Sequence, residues 1–341
     1  MTDAQRNYLR RWHQLCVAAI LLAFVVVALG AFTRLVDAGL GCPDWPGCYG
    51  HLMWPDDAIE KQAAEQLFPD APVNTEKTWP EMVHRYFAGT LGLLVLALAV
   101  FAIKAQKIIP RAPLKLPILL LGLVMVQAAF GMWTVTLKLL PQVVTAHLLG
   151  GFMTLAFLWL LSLRLSHLKR LERERDCQRS DKDPMGLATS LLILVLIQIA
   201  LGGWTSSNYA ALVCADLPTC QGQWWPQTDF SEGFNFSHEI GPNYEGGILD
   251  LPARTAIHLS HRIGAIVVFL LGLLLIWRLK QARKGELWPL LAGALGVQIA
   301  LGLSNIWFAL PLAVAVAHNI GGALLLLCLV KINYDLTITK Q

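Results

Sequence analysis

The chain of 341 residues is 55% hydrophobic and only 15% charged, with a formal net charge of +4; a soluble domain of this size carries about 25% charged residues. The charges gather in a few clusters, separated by apolar stretches close to the bilayer-spanning length of about 20 residues. That distribution excludes a soluble globular enzyme, a disordered chain and a nucleic-acid binder, and gives the positive surplus a topological use.

In chain order the uncharged stretches lie at 14–33, 86–103, 116–137, 142–163, 186–206, 263–277, 287–306 and 312–330. Each is too long for a strand, whereas a helix satisfies every backbone group internally. The expected fold is therefore all-α, a polytopic membrane protein with eight transmembrane helices. If both termini share one side, that side holds 20 of the 27 Lys and Arg residues, in the N-terminal tail, the 104–115 loop, the basic 164–185 segment, 278–284, Lys331 and Lys340. The positive-inside rule then places both termini in the cytoplasm of a bacterial inner membrane. Trp133, Trp204 and Trp307 mark outer helix ends, and Trp12, Trp159, Trp277 and Trp288 inner ones, as an aromatic belt does. The first stretch runs on through Gly30-Ala-Phe-Thr-Arg34 with no small-residue cleavage site, so it reads as a span and not a signal peptide. Two long polar loops, 35–80 and 207–253, lie on the outer face; loops of that length usually have a function.

The two halves of the chain repeat. Gly30-Ala-Phe-Thr-Arg-Leu-Val-Asp-Ala-Gly-Leu-Gly-Cys42 aligns with Gly202-Gly-Trp-Thr-Ser-Ser-Asn-Tyr-Ala-Ala-Leu-Val-Cys214, and Pro46, Cys48 and Gly50 meet Pro218, Cys220 and Gly222. His84-Arg85 meets His261-Arg262, Gln127 and Gly131 meet Gln298 and Gly302, and Ala146-His147 with Gly150-Gly151 meets Ala317-His318 with Gly321-Gly322. Four helices per repeat give both copies the same orientation, about an axis along the membrane normal. The expected architecture is two parallel-repeat four-helix bundles: 1–163 with outer loop 35–80, a cytoplasmic linker 164–185, and 186–341 with outer loop 207–253.

Four of the nine histidines, His84, His147, His261 and His318, fall in apolar helices at repeat-matched positions, three to seven residues from the expected outer helix ends. A single intramembrane histidine is most often a polar bond to a neighbouring helix. Four that recur by repeat fit two facing imidazoles in each bundle, which is how a haem iron is held from both sides. Small residues beside them (Ala88, Gly89, Gly92, Gly150, Gly151, Gly264, Ala265, Gly321, Gly322) leave room for a flat macrocycle, although close helix packing explains them equally well. Zinc is disfavoured, because no thiol or carboxylate ligand recurs at that depth. The halves differ one turn earlier: Glu81 precedes His84, whereas His258 precedes His261, at a spacing that shares a helix face. A carboxylate beside only the first pair points to proton or oxygen chemistry there and to electron transfer in the second, the alternative for Glu81 being an interfacial carboxylate favoured by a helix N-terminus; His258 either supports the neighbouring ligand or, the preferred reading, is interfacial. Arg85 and Arg262 suit haem propionates or snorkelling to headgroups.

Cys42 and Cys48, and Cys214 and Cys220, form two C-x5-C pairs on the outer loops. An oxidising compartment permits two local disulfides; the alternative is a redox-active dithiol that passes electrons.

Residues 30–46, with Cys42-Pro-Asp-Trp-Pro46, together with Glu81-x-x-His84-Arg85 and the later histidines, resemble the haem A synthase family over nearly the whole chain, in the Bacillus-type branch with paired outer cysteines. The resemblance implies an oxidoreductase that converts haem O to haem A, oxidising a ring methyl to a formyl through an alcohol and a hydrated aldehyde. It implies a substrate haem at Glu81, His84 and His147, a resident haem b at His261 and His318, and a product passed to the terminal haem–copper oxidase. Implied partners are membrane lipid, an electron donor, a haem O synthase and oxidase assembly factors; homo-oligomerisation stays open. The second half departs from the pattern, with Thr-Cys-Gln for Gly-Cys-Tyr and no Asp-Trp pair. The rival readings are a non-catalytic dihaem cytochrome b oxidising quinol, a thiol–disulfide oxidoreductase and a duplicated transporter.

Overall fold

The computed structural model describes residues 1–109, 111–170, 184–237, 239–282 and 284–338. Most of the basic 164–185 linker, with Cys177, lies outside the described residues, as do His238, Arg283 and Lys340. Ten helices are described: α1 (Asp3–Leu35), α2 (Ala58–Leu67), α3 (Thr75–Ala105), α4 (Lys115–Thr136), α5 (Pro141–Arg170), α6 (Met185–Ser207), α7 (Phe230–Gly233), α8 (Leu251–Gln281), α9 (Leu287–Trp307) and α10 (Leu312–Ile338). All except α2 and α7 are long and apolar enough to cross a membrane, so the chain is a multi-pass membrane protein. Both termini sit at one end of the helices, the terminal face; the cysteine loops sit at the other, the loop face.

Two helices begin well before their apolar stretches. The Asn74 side chain accepts from the Glu76 amide and starts α3, and Asp250 accepts from Ala253 and starts α8. Hydropathy reports where the solvent changes, whereas the cap reports where the backbone turns. His84 and His261 thereby fall in the third helical turn, and His147 and His318 in the second, so the first two sit deeper from their helix starts than the apolar boundaries implied.

Four helices leave the loop face by one backbone device. Asp37, Tyr209, Lys138 and Ala309 take φ of 51°, 53°, 48° and 54°. The amides of Ala38, Ala210, Leu139 and Leu310 then reach back to Thr33, Thr205, Thr134 and Asn305 carbonyls at 2.7–2.9 Å, satisfying orphaned helix-end acceptors.

Helix α1 packs on α3 and α5, and α4 packs on both; α6 packs on α8 and α10, and α9 packs on both. Contacts α5 to α6, α5 to α10 and α1 to α10 join the two sets. One apolar core runs through the terminal half of the helices, including Trp12, Leu98, Leu120, Leu158, Leu275 and Leu326.

On the loop face the halves are tied by polar groups. Arg34 donates to Asp37 Oδ1 and the Tyr209 hydroxyl at 3.0 Å each and to the Ser206 carbonyl at 2.6 Å; its guanidinium also lies 4.2 Å from the Tyr209 ring centre. Replacing Arg34 by Ala is expected to cost about 1.5–3 kcal/mol, the range for a hydrogen bond to a charged group, read as a lower Tm in detergent with helix content unchanged. The second outer loop also crosses the first half. Tyr244 is buried against Leu139, Leu140 and Val143, its amide donates to the Lys138 carbonyl at 3.1 Å, and Glu245 pairs with Lys77.

Candidate functional site

The two C-x5-C segments fold alike. Each closes a disulfide, Cys42–Cys48 and Cys214–Cys220, with Cα separations of 4.8 and 4.6 Å. Cys48 exchanges both backbone bonds with His51, and Cys220 with Gln223. The intervening Tyr49-Gly50 and Gln221-Gly222 all have positive φ, as a two-residue type I′ turn requires. Asp44 accepts from the Tyr49 and Gly50 amides at 2.6 and 2.9 Å. Although the second loop lacks the Asp-Trp dipeptide, its aspartate is present: Asp216 accepts from Gln221 and Gly222 at 2.7 and 3.0 Å. The Thr219 hydroxyl and the Gly222 amide hold the Asp216 carboxyl at about 2, well below its usual value. Cys16 and Cys328 are buried free thiols.

Each loop is anchored on a helix through its arginine. Arg85 donates to the Asp44 and Gly47 carbonyls at 3.0 and 2.5 Å, and Arg262 to the Thr219, Asp216 and Cys214 carbonyls. The hydrogen bonds of these two side chains thus go largely to the disulfide loops. Beside each arginine the halves diverge. Glu81, only 4% exposed, pairs with Arg85 through Oε1 and accepts from the Cys42 amide at 2.9 Å through Oε2. In its place His258, also 4% exposed, meets the Ala210 carbonyl at 2.8 Å and Arg262 at 3.2 Å. His258 is therefore buried: the loop over Ala210 covers it.

His84 and His147 face each other from α3 and α5, with ring centres 6.4 Å apart and planes at 89°. Glycines on the neighbouring helices back all four imidazoles. A Cβ at Gly30, Gly131, Gly202 or Gly302 would stand 3.0, 3.5, 3.3 or 3.1 Å from Cε1 of His84, His147, His261 or His318. The glycines beside the histidines in sequence serve otherwise. The space at Gly150, Gly264 and Gly321 is taken by the side chains of Gln127, Gln198 and Gln298, whereas Gly89 and Gly151 meet nothing within 4 Å. Sequence reasoning noted Gln127 and Gln298 only as repeat matches and missed Gln198. Its signal was a carboxamide inside an otherwise apolar span, where polar groups are costly unless used.

These residues fit a haem. The four histidines are part-buried, with glycines of the neighbouring helices against their rings. Nδ1 of His147 is buried without a partner. An iron between two opposed imidazoles, with metal–nitrogen bonds of about 2.0 Å, sets ring centres about 6 Å apart, close to the first pair. Among the described residues no three His, Cys, Asp or Glu side chains gather as a metal cluster.

An eight-span helical membrane protein with repeat-matched intramembrane histidines is the class that fold and site define, and the chain belongs to the cytochrome oxidase assembly protein family (COX15-CtaA), whose model matches residues 13–330. It is 48% identical to the Heme A synthase of Shewanella oneidensis over 93% of this chain and 94% of that protein. The Heme A synthases of Paracoccus denitrificans and Caulobacter vibrioides are 26% and 28% identical, covering 96% and 91% of this chain and 88% and 91% of theirs.

The bridges carry a prediction of their own. Replacing Cys214 and Cys220 with serine is expected to leave turnover intact and cost about 2–3 kcal/mol, the chain-entropy value for so short a loop, seen as a lower Tm. Lost turnover at an unchanged Tm would instead identify a thiol relay.

Proposed function

We propose that this chain is a haem A synthase, which oxidises one ring methyl of haem O to a formyl group and supplies haem A for terminal oxidase assembly. The observation that carries the reading is Glu81: a buried carboxylate one turn from an imidazole pair, in one half only, within a chain of this family. Moving electrons alone requires the imidazoles but not the carboxylate.

In this reading His84 and His147 bind haem O and fix its orientation. Glu81, positioned by the Cys42 amide and Arg85, handles the proton released as the methyl is oxidised. The first disulfide loop holds the Cys42 amide in place. His261 and His318 hold haem b, which when bound supplies one-electron chemistry to the first half. Arg85 and Arg262 lie where a propionate would add to their loop contacts.

The repeat and the packing of helices support two parallel-repeat bundles, 1–163 and 186–341. The Lys and Arg distribution supports both termini in the cytoplasm of a bacterial inner membrane, with site and cysteine loops on the far side. An electron donor, a haem O synthase and oxidase assembly factors are the partners this activity calls for.

Incubating the purified protein in air with haem O and a reductant, so that dioxygen is the oxidant, followed by mass spectrometry of the extracted haems, is expected to show hydroxylated and formyl products. Absence of both with every donor tried, in protein that retains its haem, would establish an electron-transfer cytochrome instead.

A further inference from the structure

On the ligand helix of the second half two arginines stand near the loop face, and only one is committed. Arg262 directs Nε to His258 and its terminal nitrogens to the carbonyls of Thr219, Cys214 and Asp216. Arg254 forms no hydrogen bond, ion pair or ring contact with any described residue, and its Nε is buried without a partner. The residue is part-buried, where a guanidinium keeps its charge and is costly without a counter-ion. Arg254 precedes His261 by seven residues, which at 3.6 residues per turn leaves the two within about 20° on one helix face. Ile257 and His258, which flank that line, are both buried, so Arg254 stands on the face of α8 turned into the protein. The first half has the same register and a different outcome. Lys77 precedes His84 by seven residues, but it pairs with Glu245, which the second outer loop brings to it. No described carboxylate answers Arg254.

We propose that Arg254 binds a carboxylate of the haem held by His261 and His318, a site that rests on the haem b assignment made above. Seven residues of helix span about 10 Å, a length comparable with that from a haem iron to the carboxylates on the ring's edge. The edge that carries them belongs on the loop side for a physical reason. The terminal half of the helices is filled by the apolar core, with Leu275, Leu295 and Leu326 in it, and an ionised group there would go unpaired. A guanidinium meets a carboxylate through two parallel N–H bonds, so the pair satisfies the free donors of Arg254 and the charge of the haem together. In the first half Glu245 takes the place of that carboxylate on Lys77, and a haem arriving there is held by one charge fewer. That difference suits a resident haem in one half and a passing one in the other.

The test uses the holoprotein as purified, with haem transfer to excess apomyoglobin giving the loss rate and a redox titration the midpoint potential. Arg254→Gln is expected to lose haem b about tenfold faster, the lower end for a hydrogen bond to a charged group. The haem that remains is expected to titrate about 59 mV lower, a tenfold gain in ferric preference at one electron, since a positive charge near the iron favours the ferrous state. An arginine that only supported the fold would not move the potential. Arg254→Lys keeps the charge and is expected to restore it. Lys77→Gln, whose cation is already paired, is expected to leave both readings unchanged. Parent loss rate and parent potential in Arg254→Gln would overturn the proposal. So would an effect confined to thermal stability in vesicles containing anionic lipid, which would assign the guanidinium to a headgroup phosphate. Should Arg254→Gln not fold, Arg254→Lys decides: the redox-difference infrared bands of ¹³C-labelled haem carboxylates are expected to shift, and unchanged bands would overturn the proposal as well. Absence of haem b from the unaltered protein would remove the haem assignment itself, a result read before any variant is made.

Discussion

Replacing Glu81 by glutamine is expected to reduce formyl production by about 10²–10⁴-fold, the usual contribution of a positioned proton-transfer group, while the haem b of the second half stays fully bound. Glutamine keeps the volume of the side chain, and its amide oxygen can still accept from the Cys42 amide, whose nitrogen lies 2.9 Å from Oε2. What it removes is the charge paired with Arg85 and the capacity to take up a proton. Alanine is the harsher substitution, since it strands the half-buried Arg85 and leaves a hole beneath the first disulfide loop; losing one partner of a buried pair typically costs about 3–5 kcal/mol. The informative comparison is therefore turnover against haem content and Tm in the glutamine variant. Normal turnover there would remove the chemistry from the first half.

The second large effect concerns His261 and His318. Alanine at either position is expected to abolish the sharp reduced absorbance of a bis-histidine haem b in protein as purified and to stop turnover, because electron transfer between the two halves is lost. Alanine at His84 or His147 is expected to leave that absorbance in place and to stop turnover by loss of substrate binding. Haem quantitation on the four single variants separates the halves: loss of resident haem from the His84 variant with full retention in the His261 variant would reverse the assignment of substrate and relay.

Much of the candidate site was legible because the membrane makes polar residues conspicuous. A histidine or glutamate inside an apolar stretch is costly, so Glu81, His84, His147, His261 and His318 stood out one by one, and the repeat paired them. Other parts were hidden for a specific reason. Gly150, Gly264 and Gly321 read as space for a macrocycle, yet the space is filled by glutamine side chains from neighbouring helices, and sequence spacing on one helix carries no information about what its neighbour inserts. The glycines that do back the imidazoles, Gly30, Gly131, Gly202 and Gly302, come from the adjacent helix for the same reason. That His258 is buried was hidden likewise, because the loop carrying Ala210 that folds over it lies 48 residues away in the chain.

Arg85 and Arg262 illustrate the same limit. Their sequence position beside a histidine suits a haem carboxylate, while their hydrogen bonds run largely to carbonyls of loops some 40 residues away in the chain. Asp216 was concealed by its neighbour: Leu217 stands where the first loop has Trp45, and the dipeptide was read as lost although the aspartate kept its turn.

The sequence by itself determined that this is a membrane protein with eight helical spans, with intramembrane histidines and two pairs of loop cysteines at matching positions of its two halves. Those properties depend on hydropathy, periodicity and self-similarity, which are local or one-dimensional. Only the tertiary structure decided which carboxamide meets which imidazole, that Glu81 is held by the amide of a disulfide-bonded cysteine, and that the second outer loop covers the first half through Tyr244. Contacts between elements far apart in the chain depend on how helices are set against one another. That setting comes from side-chain packing and backbone caps summed over the whole molecule, which no single stretch of sequence contains.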